Sequence, residues 1–354
     1  MKKQERNSNL ELLRIISILL IILHHFGIHG NYKNITSIPN KFFLDFAIIG
    51  GKIGVTIFIL ITGYYMIENK LNLKKIIKMI LEVVFYTLGI TIIFKLLGIT
   101  QLTNKTIFVS LTPITHNIYW FVTTYIILYL LTPFINKLLK QLNKKEYQKF
   151  IILLIIIQSI IPMVFLIESP ISDLGWFILI YSVAAYIKLY PNKYFENKCL
   201  NKKITIIMYL VLYGIMIVID YLNLKYNICL EKIDAIYYTN MNSIFILLIS
   251  TCLFLWFLKI EMKSSKSINI VAKSTLGVYI IHDNPFVRKF LWQVMFKYPN
   301  DIETWKLIIV AISSVFLVFV TCVIIDQIRI NTIGKLENKI IKSISKNLKL
   351  KKET

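Results

Sequence analysis

The chain has 354 residues, of which 56% are hydrophobic and only 17% charged, with a mean hydropathy of +0.65. Soluble domains carry about 45–50% apolar and about 25% charged residues, so a soluble globular protein is excluded, and 12 Gly and 8 Pro exclude collagen-like and low-complexity chains. A formal charge of +22 would suit a nucleic-acid binder, but Lys and Arg fall in short blocks between long apolar runs, and no nucleic-acid partner is expected.

A membrane-crossing helix needs about 20 mostly apolar residues. Ten such runs follow one another, starting near Leu10, Ala47, Ile76, Ile118, Lys149, Leu174, Ile204, Ser243, Ile270 and Lys306. No small-residue cleavage site follows the first run, which reads as a retained helix rather than a signal peptide. Lys and Arg crowd the N-terminus (Lys2, Lys3, Arg6) and then every second connection: Lys70 to Lys78, Lys137 to Lys149, Lys188 to Lys203, Lys259 to Lys273, and the tail from Arg329 to Lys352. The intervening connections are poor in basic residues, and by the positive-inside rule both termini are cytoplasmic. The expected architecture is all-α integral membrane, with about ten transmembrane helices. Residues 1–330 form one transmembrane domain and residues 331–354 a basic cytoplasmic tail, read as an amphipathic helix on anionic lipid. Cys199, Cys229, Cys252 and Cys322 show no pairing pattern, and no CxxC or HExxH spacing appears; neither disulfide nor metal is expected.

Ionisable residues inside spans are costly and mark functional sites. The first run carries Glu11, Arg14, His24 and His25. Eleven residues at 100° each bring Arg14 and His25 to one helix face, about 16 Å apart along the axis. Glu11 lies on the same stripe; His24 points about 100° away. A guanidinium holds a phosphate or carboxylate bidentately, and a neutral imidazole takes a proton from a hydroxyl and returns one to a leaving group. Alternatively, Arg14 snorkels and the histidines sit at the interface. His282 is a second deep imidazole, followed by Asp283, Pro285 and Arg288; Pro285 is expected to interrupt its helix. Glu82 and Lys95 either pair with other helices or snorkel to opposite surfaces. Tyr64, Tyr65, Trp120, Tyr125, Tyr129 and Trp176 fall near span ends, where an interfacial aromatic belt is the default.

Asn9-Leu10-Glu11-Leu12-Leu13-Arg14-Ile15-Ile16-Ser17, followed by His24-His25-Phe26, resembles the first helix of the membrane acyltransferase-3 family. These are multi-span O-acyltransferases of cell-surface glycans, whose hallmark is an Arg followed after ten residues by a His, as in Arg14 and His25. Gly54-Val55-Thr56-Ile57-Phe58-Ile59-Leu60-Ile61-Thr62-Gly63-Tyr64-Tyr65 is similar to the family's second helix, with Thr62 where Ser is usual. Tyr119-Trp120-Phe121 and Ser274 to His282 resemble later family segments. The family's cytoplasmic Arg-x-x-Arg is replaced here by Lys74-Lys75-Ile76-Ile77-Lys78, and the soluble hydrolase-like domain of many members is not in this chain.

The resemblance implies transfer of an acyl group, acetyl being the commonest, from cytoplasmic acyl-CoA to a hydroxyl of a cell-envelope polysaccharide or its lipid-linked precursor. The setting is the bacterial cytoplasmic membrane. Acetyl-CoA is then a consumed co-substrate, with no metal. Arg14, Lys74, Lys75 and Lys78 are expected to hold CoA phosphates, His25 to act as base or acyl carrier, and Glu11 to orient Arg14. His282 is expected among the catalytic residues, lining the acceptor side with Trp120, and Trp120 and Tyr64 are expected to bind substrate. The alternative is a transporter or flippase for a glycan intermediate.

Overall fold

A computed structural model describes residues 7–167, 172–226 and 235–347. Every regular element among the described residues is helical. In order these are α1 (Ser8–His29), α2 (Ile38–Met66), α3 (Leu73–Leu96), α4 (Asn104–Leu111), α5 (Trp120–Gln141) and α6 (Lys144–Ile155). A π turn at Ile156–Ile160 links α6 to α7 (Ile161–Phe165). Then come α8 (Asp173–Leu189), α9 (Lys193–Glu196), α10 (Lys198–Tyr226) and α11 (Ile244–Leu258). The chain ends with α12 (Lys266–Val271), α13 (Thr275–His282), α14 (Pro285–Phe290), α15 (Thr304–Thr332) and α16 (Gly334–Asn347).

Eight helices among the described residues are long and apolar enough to cross a bilayer. The expected runs at Leu174 and Ile270 differ from those eight. The first is α8, of 17 residues, about 26 Å at 1.5 Å per residue. The second is not one continuous helix. It is divided into α12, a 3-10 turn at Ala272–Ser274, α13 and α14. Its main break falls at Asp283 and Asn284, because Pro285 has no N–H to continue α13. Pro285 instead starts α14, with the Asn284 side chain accepting from the Phe286 N–H as its cap.

The bundle is organised around α2. Of its most apolar stretch 83% is buried inside the protein, against 22% for α10 and for α15. It touches α1, α8, α10 and α11. Helices in lipid gain little from hiding apolar surface and associate where small residues let backbones approach. Gly50, Gly51 and Gly54 do this against α1: a Cβ at Gly54 would lie 2.5 Å from the Ser17 carbonyl oxygen, and one at Gly51 would enter the His24 ring. These contacts place Gly51 level with His24, midway along α2. Apolar side chains that face outward, including Phe134, Phe165, Ile312 and Phe316, present the surface that lipid requires.

Trp176 and Tyr129 depart from the aromatic-belt expectation. They are 3% and 5% exposed and belong to the core, because α8 and α5 turn these positions inward. Lys95 is exposed in the last turn of α3. Glu82 is buried and pairs with Arg329 at 3.0 Å. Arg329, which the sequence groups with the tail charges, is 3% exposed. It also bonds Asp326 (2.9 Å) and Glu337 (2.5 Å), while Tyr86 donates to Asp326 at 2.7 Å. α15 continues through the expected boundary at 330 to Thr332. The tail helix α16 is thus tied to α3 and α15 through Glu337; residues 348–354 of the tail lie outside the described residues.

Candidate active site

The helix periodicity of α1 places its ionisable residues at two levels. At the Ser8 end of the bundle, Glu11 and Arg14 line a cavity of about 1190 Å³ together with Tyr64, Lys75, Lys78, Lys188 and Lys273. The Nε atom of Arg14 is buried and has no hydrogen-bond partner among the described residues. A buried donor left unmade costs about 1–3 kcal/mol, which an anionic guest would offset. A narrower cavity of about 150 Å³ shares Arg14, Thr62, Met79 and Tyr125 with the first and continues between Phe58, Phe121 and Tyr279. It reaches Ile21 on α1 and Tyr279 on α13. His25 is one turn beyond Ile21, and His282 one turn beyond Tyr279.

The two imidazoles meet at that second level. His25 Nδ1 lies 3.0 Å from His282 Nε2, across 257 residues of sequence. His282 is fully buried, and its Nδ1 lies 2.6 Å from the Val278 carbonyl. A carbonyl only accepts, so neutral His282 carries its proton on Nδ1 and offers a lone pair at Nε2. His25 then donates from Nδ1, and its Nε2 keeps a lone pair. The relay fixes His25 in the tautomer that a proton acceptor needs, as an orienting second residue does in other acid–base sites. Asp283, freed from helical geometry by the break before Pro285, places Oδ1 3.7 Å from His25 Nδ1 and 3.3 Å from Arg288 Nη1. His25, His29 and Asp283 each offer a ligand atom within 4.8 Å of the others, the set among the described residues best able to hold a metal. The contact of His25 Nδ1 with His282 makes the same groups a hydrogen-bonded acid–base cluster.

His24 has a plain structural role: it bonds the Ile48 carbonyl at 2.6 Å and packs on Gly51. Glu11 lies in the cavity with Arg14, about 21 Å along α1 from His25, so it is not part of the imidazole cluster. Lys75 and Lys78 share the large cavity with Arg14, whereas Lys74 lines a neighbouring cavity of about 790 Å³ with Lys70, Lys137 and Lys140. The cause is the N-terminus of α3: Asn72 accepts from the Lys74 N–H as its cap, and successive residues then turn by about 100°. Tyr64 and Trp120 are also at different levels. Tyr64 lines the large cavity with Lys188 over its ring, while Trp120 starts α5 and packs on Phe121 and Phe177.

Two residues with no expected role join the level of the imidazoles. Asp283 enters the sequence reading only as a neighbour of His282. Lys52 has no expected role, although a lysine inside Gly50-Gly51-Lys52-Ile53-Gly54 is a charge in an apolar run. An ammonium at a helix centre in lipid costs about 2.5–3.5 kcal/mol, and that cost was a legible signal. Its Nζ lies 5.0 Å from the ring centroid of Trp120.

Neither the curated proteins nor the solved structures give a significant match to the chain. A family model does: the acyltransferase domain of the acyltransferase-3 type matches residues 7–327 of the 354, taking in Arg14 and the imidazole pair. With only helices as regular elements among the described residues, eight of them long and apolar enough to span a bilayer, and nearly all of its length matched, the chain belongs to the acyltransferase-3 family of integral membrane proteins and is a membrane acyltransferase.

Proposed function

We propose that the protein transfers an acyl group, acetyl in the simplest case, from cytoplasmic acyl-CoA to a hydroxyl of a cell-envelope glycan or its lipid-linked precursor. It acts in the bacterial cytoplasmic membrane with both termini cytoplasmic. The observation that carries this reading is the alignment on α1 of a basic cavity at one level with a hydrogen-bonded imidazole pair about 16 Å further along. The positive-inside distribution of Lys and Arg makes the basic cavity the cytoplasmic one.

In this reading Arg14, Lys75 and Lys78 hold the CoA phosphates, with Lys74 guarding the adjoining cavity. The pantetheine arm runs through the narrow passage past Phe58, Phe121 and Tyr125, and the thioester reaches His25. His25 Nε2 takes the proton of the acceptor hydroxyl while His282 holds the ring. Trp120 supplies a flat apolar face on which a sugar ring can stack. The basic outer face of α16 rests against anionic lipid.

The test is a deletion strain complemented with wild type, His25→Ala or empty vector, with membrane expression checked by immunoblot. Base-labile acyl ester on the surface glycan is the readout. Restoration by wild type alone supports the reading. Equal ester in all three strains with altered glycan export would replace it with transport, for which the interrupted segment at Asp283 and Asn284 offers a structural basis.

A further inference from the structure

Lys52 sits at the centre of α2, 14 residues from each end of a 29-residue helix. It is therefore deep in the membrane and not at an interface where an ammonium could snorkel cheaply. The packing of Gly51 on His24 puts it at the level of the imidazole cluster. It lies within electrostatic reach of His24, His25, His29 and Asp283. Among the described residues its ammonium group makes no ion pair and no hydrogen bond. Its aromatic neighbour is Trp120, 5.0 Å away, and its opposing charges, Asp173 and Asp283, act at longer range. Structural lysines in this protein look different: Lys41, also buried, bonds the Tyr32 carbonyl and lies 3.7 Å from Asp220. An embedded cation that faces an aromatic ring but makes no ion pair, beside a proton acceptor, is suited to an anion that exists only during the reaction.

We propose that Lys52 stabilises the oxyanion of acyl transfer. The proposal rests on the acyl-transfer reading above. His25 Nε2 removes the proton of the acceptor hydroxyl as its oxygen bonds to the thioester carbonyl carbon. The carbonyl π pair moves onto oxygen, and that oxyanion meets the Lys52 ammonium. On collapse the C=O bond reforms, the C–S bond breaks, and the thiolate leaves with the proton held by His25, giving ester and CoA thiol. The charge on Lys52 does not change through the cycle. Asp283 and Asp173, within electrostatic reach, balance it between turnovers.

The experiment uses inside-out membrane vesicles carrying the full chain and its endogenous acceptor, supplied with radiolabelled acetyl-CoA. Label in base-labile ester gives Vmax and the apparent KM for acetyl-CoA, normalised to protein by immunoblot. Wild type, Lys52→Met, Lys52→Arg, His25→Ala and empty vector are compared. Methionine removes the charge and suits lipid. We expect Lys52→Met to lower Vmax about 100- to 1,000-fold, the cost of losing one oxyanion donor, with KM within about threefold. Lys52→Arg keeps the charge and regains at least tenfold of that loss. If Lys52→Met keeps Vmax within threefold while His25→Ala is inactive, the role of Lys52 is refuted and acyl transfer stands. A loss confined to KM also refutes it, since that marks an anion bound in the ground state. Wild-type label no higher than empty vector would overturn acyl transfer itself, and Lys52 with it. A Lys52→Met chain that fails to reach the membrane transfers the decision to Lys52→Arg and Lys52→Gln, and Gln at the Arg rate overturns the charge argument.

Discussion

Replacing His282 tests whether the imidazole relay works as a unit. The ring is fully buried, accepts from His25 at Nε2 and donates to Val278 from Nδ1. His282→Leu fills much of the volume but removes the acceptor, leaving the Nδ1–H of His25 unpaired in a half-buried site. A buried donor without a partner costs about 1–3 kcal/mol. If that cost falls on holding His25 in its reactive tautomer, the rate drops about 5- to 150-fold at 1.36 kcal/mol per decade. His282→Gln places an amide oxygen near the former Nε2 and keeps the rate within about threefold, the smaller loss expected when the acceptor is preserved. The vesicle assay with labelled acetyl-CoA reads both. Because His282 acts through His25, His25→Ala with His282→Leu together should be no slower than His25→Ala alone. Gln as damaging as Leu, or two losses that multiply, would refute the relay.

Three further outcomes follow from the same structure. Arg329→Met strands Glu82, Asp326 and Glu337, which are 5%, 0% and 6% exposed; we expect a loss of about 3–5 kcal/mol, read as a lowered Tm in detergent, and partial recovery when Glu82→Gln and Asp326→Asn are added. Gly54→Ala pushes a methyl to 2.5 Å from the Ser17 carbonyl and should cost about 1–3 kcal/mol, whereas Gly214→Ala, with open space around its Cβ position, should leave Tm within a degree or two or raise it, through better helix propensity. Lys75→Ala with Lys78→Ala should raise the KM for acetyl-CoA at least about tenfold, from the 1.5–3 kcal/mol of a hydrogen bond to a charged group, while Lys74→Ala, on the adjoining cavity, raises it less; the reverse order in the vesicle assay would move the CoA phosphates to the cavity of Lys74.

That Arg14 shares a face with His25, and that Lys75 and Lys78 lie in a basic block, was legible because helix periodicity and membrane charge asymmetry are local properties, carried by a few consecutive residues. The same holds for the break at Pro285, since a missing N–H acts at its own position. Lys74 was not separable from Lys75, because the direction of each depends on where the Asn72 cap starts α3. Trp176 and Tyr129 looked interfacial from their place in the sequence; packing against neighbouring helices turned them inward.

By itself the sequence determined that this chain is a multi-pass helical membrane protein, and that Arg14 and His25 share one face of the first helix. Those follow from hydropathy and from 3.6 residues per turn, which need no knowledge of other helices. Only the tertiary structure decided that His25 bonds His282, that Arg329 answers Glu82, and that Lys52 meets Trp120 at the level of the imidazoles. Each of these joins helices far apart in the chain. Their meeting depends on how closely α1 and α2 approach at Gly51 and Gly54 and on how the interrupted segment turns Asp283, which side-chain packing sets and local sequence does not.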